Sequence, residues 1–148
     1  MKKIIIVLSL LIVVPVFVLG QTTDPFVSKC AMSTGPNTTY IKDFVIQLPK
    51  GAVTPKLRFR QPYAMHKNFK YRFTLCNADN SVGRLIMQIT DDAGKVQLST
   101  IDLKTGKPYP NPNPYIDFVC NKVGIYQISF DFLNFEKGSG VGIVSIVK

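Results

Sequence analysis

Residues able to do acid–base or nucleophilic chemistry are sparse in this chain. One histidine, His66, stands in the run Met65-His66-Lys67-Asn68-Phe69, and one glutamate, Glu136, stands far downstream. Hydrolysis through a serine or cysteine needs an imidazole beside the nucleophile and a carboxylate that orients the ring. No carboxylate neighbours His66 in sequence, so it reads as a solvated loop histidine. Glycosidase chemistry needs two carboxyl groups flanking one bond. It would have to use Glu136 or two aspartates, and the aspartates fall mostly in turns, where they hydrogen-bond backbone. Asn77, Asp79 and Asn80, and separately Asp91 and Asp92, gather oxygen ligands suited to calcium, without EF-hand spacing. The expectation is a non-enzymatic domain with no cofactor, calcium being the one candidate ion.

Three cysteines, Cys30, Cys76 and Cys120, stand far apart and match no zinc pattern. An oxidising compartment permits one bridge and leaves one thiol. Cys120 shares strand parity with Ile116 and Phe118, and Cys76 shares it with Lys70 and Arg72. A bond between these two is therefore disfavoured, because a disulfide needs its Cβ atoms close. Cys30 has the reach for either, and all three pairings stay open.

Binding chemistry has more candidates. Lys and Arg outnumber Asp and Glu by 18 to 9, which favours anionic partners but says nothing of fold. Lys56, Arg58 and Arg60 project from one side of one strand, and Lys70 and Arg72 from one side of another. If the two strands are neighbours, five cations share a sheet surface able to meet phosphate or carboxylate, with arginine the better anchor. Nucleic acid is not expected, since base stacking wants exposed aromatics among the cations, and these strands turn theirs inward. Tyr109 and Tyr115 bracket a proline-rich loop and are candidates for stacking on sugar rings, though the chain has no Trp.

The elements that must position these groups are strands. Phe69, Tyr71, Phe73 and Leu75 alternate with Lys70, Arg72, Thr74 and Cys76, a period of two that a pleated strand sorts onto opposite faces. Similar runs are predicted at Tyr40 to Leu48, Leu57 to Gln61, Leu85 to Thr90, Lys95 to Ser99, Tyr115 to Cys120, Ile125 to Phe132 and Val141 to Val147. The last is apolar on both faces and belongs inside a sheet. Asp91-Asp92-Ala93-Gly94 is a hairpin signal, and the four prolines between Thr105 and Pro114 require a loop. No stretch has helical periodicity, and Pro25, Gly35 and Pro36 argue for an extended lead-in.

At the N-terminus, Lys2 and Lys3 precede an almost wholly apolar run, Ile4 to Leu19, and then Gly20. These are the parts of a cleavable secretory signal. The run is shorter than the roughly 20 residues of a spanning helix. Residues 1–20 are therefore expected to be a signal peptide, 21–39 a lead-in and 40–148 one domain, secreted or periplasmic by the general secretory route.

The stretch KYRFTLCNADNSVGRLIMQITDDAGKVQLST, followed by IDFVCNKVGIYQISFDF, resembles the bacterial pre-peptidase C-terminal domain. The shared elements are the aromatic strand at Tyr71-Phe73, the strand into an Asp/Gly hairpin at Leu85-Gly94, and the Gly-Xaa-Tyr strand at Gly124-Tyr126. The resemblance implies a jelly-roll accessory domain that binds surfaces or polysaccharide, sometimes with calcium. The acidic run usual in the second strand is replaced here by RLIMQIT, which puts calcium in doubt, and the domain is expected to stand without the peptidase that such domains usually follow.

The sequence thus predicts an all-β sandwich of about eight strands, of jelly-roll or Greek-key type. Its expected role is surface recognition of an anionic surface, a glycan or an envelope protein. Two alternatives stand beside it: a secreted hydrolase using His66 or Glu136, and a structural subunit that donates or accepts a strand in an envelope assembly.

Overall fold

The structure, a computed structural model, describes residues 24–148; the expected signal peptide lies outside them. Eight strands form two four-stranded antiparallel sheets. The strands are β1 (Thr38–Leu48), β2 (Phe59–Met65), β3 (Lys70–Asn77), β4 (Leu85–Thr90), β5 (Val96–Ser99), β6 (Tyr115–Val119), β7 (Gly124–Phe132) and β8 (Gly138–Val147). The first sheet runs β1-β8-β3-β6 and the second β2-β7-β4-β5. Strands 1 and 8, 2 and 7, 3 and 6, and 4 and 5 are each paired, the arrangement of one long antiparallel hairpin wrapped on itself. This is a jelly roll.

Period-two burial builds the core. Phe44 and Ile46 of β1, Tyr71 and Phe73 of β3 and Val144 of β8 face Met87 and Ile89 of β4 and Ile128, Phe130 and Phe132 of β7. Strand β8 lies between β1 and β3 and is covered on both faces, Val144 by the core between the sheets and Val141 and Ile143 by a short N-terminal helix, which explains its apolar character on both faces. The layers meet closely where Phe130 presses on Gly142: a Cβ there would lie 2.6 Å from the ring. Phe69 departs from the alternation. It precedes β3, is 45% exposed, and does not join Tyr71 and Phe73 inside.

From Asp24 onward the lead-in expected over residues 21–39 is not extended up to β1, which begins at Thr38. Pro25–Ala31 forms a helix, α1, followed by a 3-10 turn at Met32–Thr34. Pro25 starts the helix rather than breaking it: at the first helical position its missing N–H is no loss. Asp24 caps the end by accepting the Phe26 N–H at 2.8 Å. Seven residues cannot sustain a helix in water, so tertiary contacts must hold it. Val27 and Cys30 pack on Val141 and Ile143 of β8, on the outward face of the first sheet. Cys30 is bonded to Cys76 of β3 with 5.8 Å between Cα atoms, which fixes the pairing that the sequence left open. Cys120 is a buried free thiol in the core, on the opposite face from Cys76.

Candidate functional site

The five candidate cations do not share a surface. The strand expected over Leu57 to Gln61 begins only at Phe59, so Lys56 and Arg58 precede it and Arg60 alone of the three lies on it; β2 belongs to the second sheet and β3 to the first, which keeps these cations apart from Lys70 and Arg72. Two arginines are structural as well. Arg58 grips Asp131 of β7 through Nε and Nη2, the latter at 2.7 Å, while its backbone N–H also donates to that carboxylate. Asp131 is wholly buried, and Arg58 Nη1 reaches on to the Pro49 carbonyl. The hydrogen bonds that Arg58 donates to Asp131 raise the Arg58 pKa above its ordinary value.

Arg72 is also buried. Its Nε donates to Asp117 of β6 at 2.6 Å, its Nη1 donates to the Thr34 carbonyl, and its guanidinium lies 3.8 Å from the Tyr115 ring centroid. Lys70 joins the pair at 2.9 Å from Asp117. Arg72, with Lys70 beside it, holds the Asp117 carboxyl below the usual carboxylate range. These contacts lock β3, β6 and the 3-10 turn together and leave no free charge for a ligand. Lys56 and Arg60 remain exposed, and neither forms an ion pair among the described residues.

Around Arg60 the outward face of the second sheet is polar. Register places Arg60, Ser129 and Gln88 in one row across β2, β7 and β4, about 4.8 Å apart per strand. A cavity of about 240 Å³ lies over this row, between the Pro55–Leu57 segment and Gly94. An adjoining cavity of about 330 Å³ continues past Arg60 to Thr90, Gln127 and the acidic turn at Asp91-Asp92. Gln127 Nε2 is buried there without a hydrogen-bond partner. Lys56 lines one end of the trough, Asp91 and Asp92 line the other, and Arg60 stands where the two cavities join.

Tyr109 and Tyr115 do come together. Both line a cleft of about 100 Å³ beneath the loop joining β5 to β6, with Arg84 at its mouth. One face of Tyr115 is already occupied by Arg72, so Tyr109 is the freer ring, 49% exposed. Ser129 and Gln88 escape a reading of the sequence because isolated polar residues in apolar strands look like ordinary outward positions, and only the register aligns them; Arg84, just before β4, carries no local signal at all.

The remaining candidates are dispersed. His66 follows Met65, which pairs with Gly124 at one end of β7, whereas Glu136 follows Phe132 at the other and is 3.2 Å from Lys50. Asn77 spends its side chain on the Gly83 carbonyl and the Leu85 N–H, and Asp91 accepts from Ala93, Lys95 and Gln97. Among the described residues no group of three His, Cys, Asp or Glu side chains is placed to hold a metal, and no helix is long and apolar enough to cross a membrane. No family model matches the chain, and no curated protein matches it in sequence.

Proposed function

We propose that this chain is an exported, non-enzymatic recognition domain that binds an extended acidic glycan along the outward face of its second sheet. The observation that carries the reading is Arg60: an exposed guanidinium without an acid partner, in register with Ser129 and Gln88 at the floor of a trough. Guanidinium groups pair bidentately with carboxylates, and flanking hydroxyl and amide groups suit the hydroxyls of a sugar chain. Export is supported by the basic-then-apolar N-terminus and by the Cys30–Cys76 bond, which persists in oxidising compartments. An accessory, surface-binding role is also what the resemblance to the pre-peptidase C-terminal domain implies.

Affinity electrophoresis through gels containing polygalacturonate tests the reading. The wild-type protein is expected to be retarded, less so at high salt because exposed charges are screened. Lys56→Glu with Arg60→Glu should abolish the retardation. Lys67→Glu with Lys148→Glu makes the same change in charge elsewhere and should retain most of it. Equal loss in both pairs would reduce the effect to net charge and remove the trough from consideration.

A further inference from the structure

The cleft under the proline-rich loop is separate from the trough and has a different chemistry. It opens where the sandwich would be unsealed, between β3 and β6 of the first sheet and β4 of the second. Leu75, Leu85 and Ile116 line its apolar part. The loop that roofs it is tied down on both sides. Tyr109 N–H donates to the Thr100 carbonyl at 3.0 Å, Asn111 Nδ2 donates to the Tyr115 carbonyl at 2.9 Å, and Leu75 N–H donates to the Pro114 carbonyl at 2.9 Å. The prolines stiffen the roof, so the cleft exists before any ligand arrives and little ordering is required on binding.

At the mouth stands Arg84, exposed and without an ion pair among the described residues. The only acid of the roof, Asp102, does not compete for it. That carboxylate is turned onto the Lys104 and Thr105 N–H groups at 2.7 and 3.0 Å. Tyr109, also in the lining, offers a half-exposed ring.

We infer that this cleft binds a branched apolar group carrying a carboxylate, the apolar part resting on Leu75, Leu85 and Ile116 and the carboxylate paired with Arg84. Size selects the apolar part. A volume of about 100 Å³ is smaller than the cavity of about 150 Å³ known to admit benzene, so an isobutyl group fits better than a ring. Two sources share that chemistry: a free branched-chain acid and the C-terminal leucine of a peptide.

Titration of the ¹⁵N-labelled protein, followed by amide chemical shifts, separates the outcomes. 4-Methylpentanoate is expected to move the signals of residues 84–86 and 108–116 along a saturable curve. 4-Methylpentanamide should bind roughly tenfold more weakly or worse, the loss expected for a charge-assisted hydrogen bond. Arg84→Gln should erase the difference between acid and amide, and because Arg84 is exposed and unpaired, that variant keeps its fold. Ile116→Phe fills the cleft and should abolish binding, its fold being checked by the dispersion of its spectrum.

An acetylated tripeptide ending in leucine distinguishes the sources. If its free-acid form binds more tightly than 4-methylpentanoate and its amidated form does not bind, the natural ligand is a chain end. If only the small acid binds, it is a free acid. The site is overturned if acid and amide bind equally, if Arg84→Gln leaves their difference intact, or if the acid moves no signals at millimolar concentration. Shifts confined to the surroundings of Arg60 would also overturn it, while leaving the reading of the trough untouched.

Discussion

The two outward faces of the sandwich are finished in opposite ways. On the first sheet, α1 and its 3-10 turn lie over β3 and β8, a disulfide pins them, and Arg72 closes the margin against Asp117, Tyr115 and Thr34. On the second, one arginine is locked down at Asp131 and another, two residues along the same chain, stands free over a polar trough. The difference teaches that positive charge on alternate strand positions is not one property. Arg58 and Arg60 are two residues apart and carry equal charge. What separates them is the β7 residue each meets: Arg58, just before β2, reaches Asp131, whereas Arg60 lies opposite Ser129.

The sharpest break in that comparison is Arg58→Ala. It strands a wholly buried Asp131 without a counter-charge, and a cost of about 3–5 kcal/mol is expected in urea unfolding. Arg60→Ala on the same face should stay within about 0.5 kcal/mol. Equal effects would erase the distinction between a structural and a free arginine. Next in size is the strap on the first sheet. Cys30 and Cys76 are 46 residues apart, and Cys30→Ser with Cys76→Ser should cost about 2–4 kcal/mol. Protease cleavage confined to residues 24–36 at low enzyme would show α1 leaving first.

Smaller, and of opposite sign, is Thr74→Val. Thr74 Oγ1 is buried on the covered face without a partner, so removing the hydroxyl should raise stability by about 1 kcal/mol, read from the denaturant midpoint. The smallest effect concerns pH. The Asp117 carboxyl is held low by Arg72 and then Lys70. Its contribution is therefore present above the unfolded carboxylate value of about 3.9 and is lost as pH falls through the lower folded value. Asp117→Asn should lessen the fall in stability below about pH 4; an unchanged acid limb would show that the pair contributes nothing there.

The layered architecture was readable because each strand carries its own signature. Tyr71 and Phe73 alternate with polar neighbours, β8 is apolar on both faces because the core covers one and α1 the other, and Cys120 followed its parity into the core. The helix was not readable. Seven residues show no periodicity, and Pro25 signals a helix start as readily as a loop. Nor did the sequence reveal which cations are spent. Asp131 lies 73 residues from Arg58 and Asp117 lies 45 from Arg72, so only long-range register brings the charges together. Tyr109 and Tyr115 stand out as a pair, while Arg84 beside them does not, because it comes from the residue before β4, a strand of the other sheet.

The wrapped pairing has a consequence for how the molecule is made. β1 and β3 have β8 as their shared neighbour, so the first sheet stays divided until the most distant strand arrives to bridge it. Contacts of such long span form slowly, after their loop-closure cost has been met. A growing chain of this kind must hold β1 and β3 unjoined until its last strand is made.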